Sequence, residues 1–165
     1  MMTPKPQKAS KYILFPILIL SCISLIFYNS LKTAEESRQE SGTVVEVVEK
    51  IVKTIYNDRP PEKVNDFFDR SARNTFRDIA HLLEFFILGI LAMLYGSLYR
   101  KKPLYILIIA LLSCITIAFI DEAIQIPVAG RGFELYDILL DTAGSLAGIL
   151  IIYIPLYFRR KHLKI

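Results

Sequence analysis

The sequence is poor in glycine, tryptophan and cysteine. It contains seven glycines, two cysteines and no tryptophan among 165 residues. The cysteines, Cys22 and Cys114, lie in separate apolar segments without ligand spacing, so they indicate neither a redox compartment nor a metal site. Apolar side chains, in contrast, make up 53% of the chain, and the mean hydropathy is +0.42. This composition excludes an ordinary soluble enzyme and an intrinsically disordered chain alike.

The apolar residues form four segments, each close to the roughly 20 residues with which a helix crosses a bilayer. They cover residues 12–28, 79–99, 103–120 and 138–158. Helices are expected because an open strand leaves backbone groups unsatisfied in hydrocarbon. No small-x-small cleavage site follows the first segment, which predicts an uncleaved anchor over 12–31. The predicted fold is an all-α polytopic membrane protein, a bundle of four transmembrane helices.

Acidic residues are absent from one side of this predicted bundle. Half of the 20 basic residues lie on that side, whereas all 16 acids lie in the two opposite loops or the helix ends beside them. The positive-inside rule therefore places the basic N-terminus (1–11) and the basic tail (159–165) in the cytoplasm. The net charge of +4 follows from this topology, and no nucleic-acid partner is predicted. The basic residues of this side are Lys5, Lys8, Lys11, Arg100, Lys101, Lys102, Arg159, Arg160, Lys161 and Lys164.

The extracytoplasmic segment between the first two spans, residues 32–77, is too long for a simple turn. Thr43 and Glu46 have the spacing of a capping box, and the valines and isoleucines that follow share one half of a helix. An amphipathic outer helix is therefore predicted from Thr43. This helix lies on the bilayer surface or covers the bundle mouth, or it docks a protein partner. A second helical pattern, residues 64–76, leads into the second span.

Ionisable residues are costly in membrane spans, and here they collect at the outer ends of three spans. Spacings of three and four residues place members of the set on shared helical faces. Gly144 and Gly148 continue the face of Asp141 with the small-residue spacing that lets helices approach, so Asp141 is expected to face the bundle. The predicted ligand-binding residues are His81, Glu84, Asp121, Glu122, Gln125, Arg131, Asp137 and Asp141.

Each of these positions has a simpler explanation. Asp137 at a helix N-terminus is favoured by the helix dipole in any protein. His81 alone would be a histidine hydrogen-bonded between helices. Glu84 lies deeper in its span, where an unpaired charge costs several kcal/mol, so it requires either a partner or a proton.

In combination, these residues resemble the signature of the VanZ-like family of bacterial membrane proteins over residues 77–154. The motifs are His81-Leu82-Leu83-Glu84-Phe85, Asp121-Glu122-Ala123-Ile124-Gln125, Gly130-Arg131, Asp137 and Asp141-Thr142-Ala143-Gly144 with Gly148. The resemblance implies a three-span core, here 78–158, in the bacterial plasma membrane. The family's namesake is associated with resistance to the glycopeptide teicoplanin. Two departures are visible, because Asp141 stands where Asn is more usual and Arg77-Asp78 replaces the usual Arg-Lys pair.

The favoured function is noncatalytic and has no cofactor, with the outer pocket binding a lipid headgroup, a cell-wall precursor or a glycopeptide. Neither Ser145 nor Thr142 has an evident His-Asp pairing, which argues against a serine hydrolase. One alternative is an intramembrane hydrolase or transferase of lipid headgroups, with His81 or Glu84 as the acid or base. Another is a membrane scaffold that docks a protein partner. For the enzyme, the ligands of a Mg²⁺ or Mn²⁺ ion would be His81, Glu84, Asp121, Asp137 and Asp141.

Overall fold

A computed structural model describes residues 9–57, 59–99 and 101–162, and all regular structure within these ranges is helical. The helices are α1 (Ala9–Ser30), α2 (Ala34–Ile55), α3 (Glu62–Arg70), α4 (Ala72–Ser97), α5 (Pro103–Gln125) and α6 (Leu135–His162). Four of them, α1, α4, α5 and α6, are long and apolar enough to cross a membrane. The prediction of an all-helical protein with four membrane-spanning helices is confirmed. Lys5, Lys8, Arg100 and Lys164 of the predicted cytoplasmic set lie outside the described residues.

The four long helices alternate in direction. At one end, Asn29 of α1 bonds Glu84 of α4. At the other end, the Tyr12 hydroxyl donates to the carbonyl of Leu98, at 3.3 Å. We call the end at which α1 and α5 finish and α4 and α6 begin the polar end, and the opposite end the basic end.

Glycines hold α4 and α6 in the most extensive helix contact of the bundle. A Cβ added to Gly144 would overlap the carbonyl oxygen of Leu82, and one added to Gly148 would overlap that of Phe86. Gly89 of α4 meets the backbone of α6 in the same way. Because no side chains separate the two backbones, α4 and α6 approach as closely as small-residue packing allows.

The apolar core lies between the four long helices. Phe85, Leu88 and Met93 of α4 are fully buried, together with Ile26 of α1 and Ile149 of α6. Many other apolar side chains of the same helices remain exposed, as expected where lipid tails rather than water surround the protein. Among them are Leu20, Leu112, Leu139 and Ile151.

The helix α2 starts much earlier than its sequence pattern predicts. The predicted capping box at Thr43 and Glu46 is wrong, because the Thr33 side chain and Glu36 form that box instead. Thr43 lies within the helix, where its hydroxyl donates to the carbonyl of Gln39 at 3.3 Å. The chain between Thr33 and Thr43 contains no Pro, and its one Gly, Gly42, is buried within α2. A helix that starts at Thr33 therefore continues through the later motif.

The helix α2 packs across the polar end of α4. Val45 is buried, whereas Val44, Val47 and Ile51 from the same predicted apolar face are exposed. At its start, the Ala34 amide donates to the carbonyl of Ala129 in the α5–α6 loop, at 3.2 Å. The start of α2 is therefore attached to that loop. That the exposed valines lie on the bilayer stays a prediction.

The second helical pattern of the outer segment is divided between two helices. Its residues, 64–76, belong partly to α3 and partly to α4, with Ser71 between them. Because α4 begins at Ala72, it extends two turns beyond the predicted start of its span. His81 and Glu84 therefore lie in the third and fourth turns of α4.

Candidate functional site

Three helices bring ionisable side chains together at the polar end. His81 of α4, Asp121 of α5 and Asp141 of α6 each offer a ligand atom, and these atoms lie within 4.8 Å of one another. The residues are 9%, 0% and 1% exposed, respectively. His81 and Asp141 are brought close by the backbone contact of Leu82 with Gly144, since each contact residue lies within one turn of a cluster member. We call these three residues the His-Asp-Asp cluster.

Gln125 connects this cluster to the α5–α6 loop. Its amide nitrogen donates to Asp121 Oδ2 at 3.2 Å and to Glu122 Oε1 at 3.0 Å. Its amide oxygen accepts a hydrogen bond from Arg131 Nη1 at 3.2 Å. The second oxygen of Glu122 accepts from the Glu134 backbone amide at 2.7 Å. Glu122, although fully buried, thus has partners for both of its oxygens.

Arg131 carries its positive charge at the edge of this network. Its guanidinium is half-buried, and burial followed by the charge of Arg77 lowers the pKa of Arg131 from its usual value. Arg131 bonds the neutral amide of Gln125, and its Nε is buried without a hydrogen-bond partner in the described part of the chain. A further negative group beside Arg131 would therefore be favourable.

Asp137 is separated from the cluster by an ion pair. Its Oδ2 lies 3.6 Å from Arg77 Nη2, and Arg77 Nε lies 3.6 Å from Asp78 Oδ1. Asp137 is one of the five residues considered as metal ligands, and its side chain is thus directed towards α4.

Glu84 also has its own partner. Its Oε1 accepts a hydrogen bond from the side-chain amide of Asn29 at 2.5 Å. Sequence reasoning required a partner or a proton for Glu84 but did not identify Asn29. The available signal was that Asn29 is the first polar amide at the end of the apolar run of α1.

A cavity of about 330 Å³ opens beside the cluster, between α1, α2 and α4. His81 lines it, whereas Asp121 and Asp141 are not part of its wall. Lys32 also lines it but is already bonded to both oxygens of Glu40, at 2.7 Å each. The wall has a cationic part (Arg77 and Arg131), an acidic part (Glu40 and Glu84) and an apolar part (Phe76, Ile79 and Leu83). We call this cavity the polar-end pocket.

The hydroxyl of Ser145 does not complete a catalytic arrangement. Ser145 is fully buried on α6, and its hydroxyl donates to the carbonyl of Thr142 at 3.0 Å. A serine nucleophile requires a base within hydrogen-bond reach, and no such bond from Ser145 to a histidine occurs among the described residues.

Four apolar helices that enclose a polar cluster at one end define a multi-pass membrane protein. The sequence profile of the VanZ/LLP1 family matches residues 15–157, and the chain belongs to this family. The match starts within α1, so it also includes α2 and α3, which precede the motif residues. No curated protein and no solved structure matches the chain.

Proposed function

We propose that this protein binds the phosphate-bearing headgroup of a membrane-anchored molecule in the polar-end pocket. The observation that supports this is a pair of guanidinium groups. Arg77 and Arg131 line the same cavity, and the Nε of Arg131 is buried without a hydrogen-bond partner among the described residues. The Nε of Arg77 also makes no hydrogen bond, because the nearest carboxylate oxygen, Asp78 Oδ1, lies 3.6 Å away. Guanidinium groups bind phosphate oxygens through parallel, charge-assisted hydrogen bonds.

The apolar part of the wall supports an amphiphilic ligand over a free anion. Phe76, Ile79 and Leu83 line the pocket beside the arginines, at the level where α4 enters its apolar stretch. A headgroup could thus contact the arginines while its chain remains in the bilayer. Both a phospholipid and a lipid-linked cell-wall precursor have this chemistry. A glycopeptide of the teicoplanin type is the alternative ligand.

This proposal includes the orientation of the chain. The polar end faces the outside of the bacterial plasma membrane, and both termini lie in the cytoplasm. The support is the charge of the basic end, where Lys101, Lys102, Arg159 and Arg160 lie beside helix ends. An impermeant maleimide should label a Gly132→Cys variant in intact cells, after both native cysteines are replaced by serine. Labelling only after lysis would contradict this orientation.

Ligand binding is tested with detergent-purified full chain and short-chain amphiphiles. We expect phosphatidylglycerol or a polyprenyl pyrophosphate to bind. The compound that binds more tightly shows whether the ligand is a phospholipid or a lipid-linked cell-wall precursor. Arg131→Gln should weaken that binding roughly tenfold or more, because a charge-assisted hydrogen bond contributes about 1.5–3 kcal/mol. Arg159→Gln, an exposed arginine at the basic end, is the matched control. Binding that is equal in both variants, or found for teicoplanin alone, would contradict a phosphate ligand.

The enzyme alternative is supported by a separate observation, the closeness of His81 to two buried carboxylates. Under this alternative the bound headgroup is hydrolysed or transferred, with His81 as the acid or base. Glu84 is a weaker candidate for that role because it is engaged by Asn29. Release of phosphate or headgroup from the bound amphiphile, lost in His81→Gln, would favour the enzyme over simple binding.

A further inference from the structure

The His-Asp-Asp cluster contains two buried carboxyl groups with oxygen atoms that have no hydrogen bond. Asp121 accepts one hydrogen bond from Gln125, but its Oδ1 has no partner within hydrogen-bond distance, and the buried hydroxyl of Ser30 close to this carboxyl is also without one. Asp141 Oδ1 also has no partner, and both residues are at least 99% buried. A buried polar atom without a hydrogen bond is rare in folded proteins and requires an explanation.

Among the described residues, neither of the neighbouring arginines forms an ion pair with the cluster. Arg77 is paired with Asp137 and Asp78, and Arg131 bonds Gln125. Within the described ranges, no ion pair joins a basic side chain to Asp121 or Asp141. Two buried carboxylates without a compensating charge would cost several kcal/mol, so the site is suited to a positive ligand.

We infer that the His-Asp-Asp cluster binds one hard divalent cation, of the Mg²⁺ or Mn²⁺ type. Two carboxylate oxygens and one imidazole nitrogen match the donor preference of these ions, and the two carboxylates balance the ionic charge. In an octahedral shell with bonds of 2.0–2.1 Å, opposite ligand atoms lie about 4.2 Å apart and adjacent ones about 3 Å apart. The cluster atoms lie within 4.8 Å of one another, so they would move closer by up to about 2 Å to share one ion.

The same contacts reduce the ligand set from the five candidates in the sequence to three. Glu84 is bonded to Asn29 and Asp137 is paired with Arg77, and only His81, Asp121 and Asp141 among the described residues have ligand atoms within 4.8 Å of one another. His81 also lines the polar-end pocket, so the cation site and the pocket adjoin at this residue. That a phosphate oxygen of the ligand reaches the ion rests on the proposed function, whereas the cation site itself does not.

The test uses Mn²⁺ alone, added to EDTA-treated full chain in detergent, with loss of the free-ion electron paramagnetic resonance signal as the readout. We expect one Mn²⁺ per chain, displaced by Mg²⁺, and affinity reduced roughly tenfold or more in Asp141→Asn and Asp121→Asn. Asp137→Asn is the matched control, because Asp137 lies one turn earlier on α6 and pairs with Arg77. Its Mn²⁺ affinity should stay within a factor of two to three of the wild-type value.

Several outcomes would overturn this inference. They are no Mn²⁺ binding by the wild-type chain up to millimolar concentration, binding of Zn²⁺ but not Mn²⁺, or equal losses in Asp141→Asn and Asp137→Asn. Helical content and the elution volume on size exclusion identify a variant that does not fold. In that case the Mn²⁺ titration of the wild-type chain tests the inference. Arg131→Gln separates the two proposals, since it should lose headgroup binding but keep Mn²⁺.

Discussion

The two ends of the bundle are built from the same four helices but are held together differently. At the polar end, the backbone of α4 touches that of α6, and a buried network around Gln125 joins α5 to the next loop. At the basic end, the helices are linked by exposed contacts. The Tyr12 hydroxyl donates to the carbonyl of Leu98, and the Arg160 guanidinium donates to the carbonyl of Lys101. Buried contacts fix positions, whereas exposed ones are replaceable by water or lipid headgroups.

This difference indicates where the positions of the side chains are fixed most tightly. The ionisable side chains of the candidate site lie at the polar end, where backbone contacts set the distances between them. The basic end instead carries tyrosines that pack on one another, such as Tyr12 on Tyr99 and Tyr95 on Tyr99, with ring centres 5.8 and 5.6 Å apart. Aromatic residues of this kind anchor a helix at the membrane boundary without defining a site.

The largest difference is expected from adding one methyl group at each end. Gly144→Ala places a Cβ against the backbone of α4, so the helices must separate, and we expect a loss of about 3 kcal/mol or more in the free energy of unfolding. Gly96→Ala meets the side chain of Ile106 rather than a backbone, and the helix propensity of Ala offsets about 1 kcal/mol, so we expect a smaller loss although the buried Ile106 must shift. Unfolding in mixed micelles, followed by circular dichroism, measures both. Equal losses would remove the distinction between the ends.

The second-largest effect on the free energy of unfolding is expected from removing the side-chain amide of Gln125, which connects the residues of the polar end. Gln125→Met keeps the volume but removes one hydrogen bond each from Asp121, Glu122 and Arg131, at about 1–3 kcal/mol for each buried group. We expect a total loss of about 2–4 kcal/mol, since side-chain rearrangement recovers part of it. Gln39→Met, on exposed α2, should change the unfolding free energy by about 0.5 kcal/mol or less. A Gln125 variant as stable as this control would show that the network is dispensable.

A smaller change is expected at the basic end. Tyr12→Phe removes one exposed hydrogen bond to Leu98 and keeps the ring contact with Tyr99. The free energy of unfolding should fall by about 0.5 kcal/mol or less, because water replaces an exposed partner. The same unfolding experiment applies. A loss above that of Gln125→Met would reverse the proposed ranking of the two ends.

The smallest effect is a pH dependence at the start of α2. Hydrogen bonds from Thr33, first its backbone amide and then its hydroxyl, hold the pKa of Glu36 below its usual value of 4.5. A lowered folded-state pKa means that the capping contribution is complete above pH 4.5 and is lost as the pH falls through the folded value. Hydrogen-exchange protection of the first turn of α2 should therefore decrease below pH 4.5.

The matched variant for this experiment is Glu36→Gln, which keeps a capping side chain but cannot titrate. Its protection factors, corrected for intrinsic exchange, should not change over the same pH range. A wild-type chain with equally constant protection would contradict the capping role of the Glu36 carboxylate.

The spans were predictable because lipid imposes one requirement over their whole length. A long apolar run can satisfy its backbone in hydrocarbon only as a helix, so composition alone identified α1, α4, α5 and α6. The start of α2 was not predictable in this way. Thr33-x-x-Glu36 and Thr43-x-x-Glu46 have the same capping spacing, and the residues after Thr33 are too polar to give an apolar period. The choice between them is made by the nearby end of α1.

The candidate site was predictable as a set of residues at one depth, but not as a set of partners. Helical spacing placed His81 and Glu84 on one face of their helix, and the glycine spacing directed Asp141 towards the bundle. These spacings could not show that Asn29 engages Glu84 or that Arg77 engages Asp137, because these contacts depend on how α1 and α6 are rotated against α4. Such rotations follow from side-chain packing across the whole bundle.

The glycine contacts between α4 and α6 also limit how the pocket can change shape. With backbones already touching at Gly89, Gly144 and Gly148, the two helices can neither approach nor slide without overlap. They therefore behave as a single rigid body. Any widening of the pocket for a bulky ligand must therefore come from the opposite wall, which α1 and α2 form. Because the start of α2 at Ala34 is bonded to the loop that carries Arg131, a hinge-like displacement of α2 would also move this arginine.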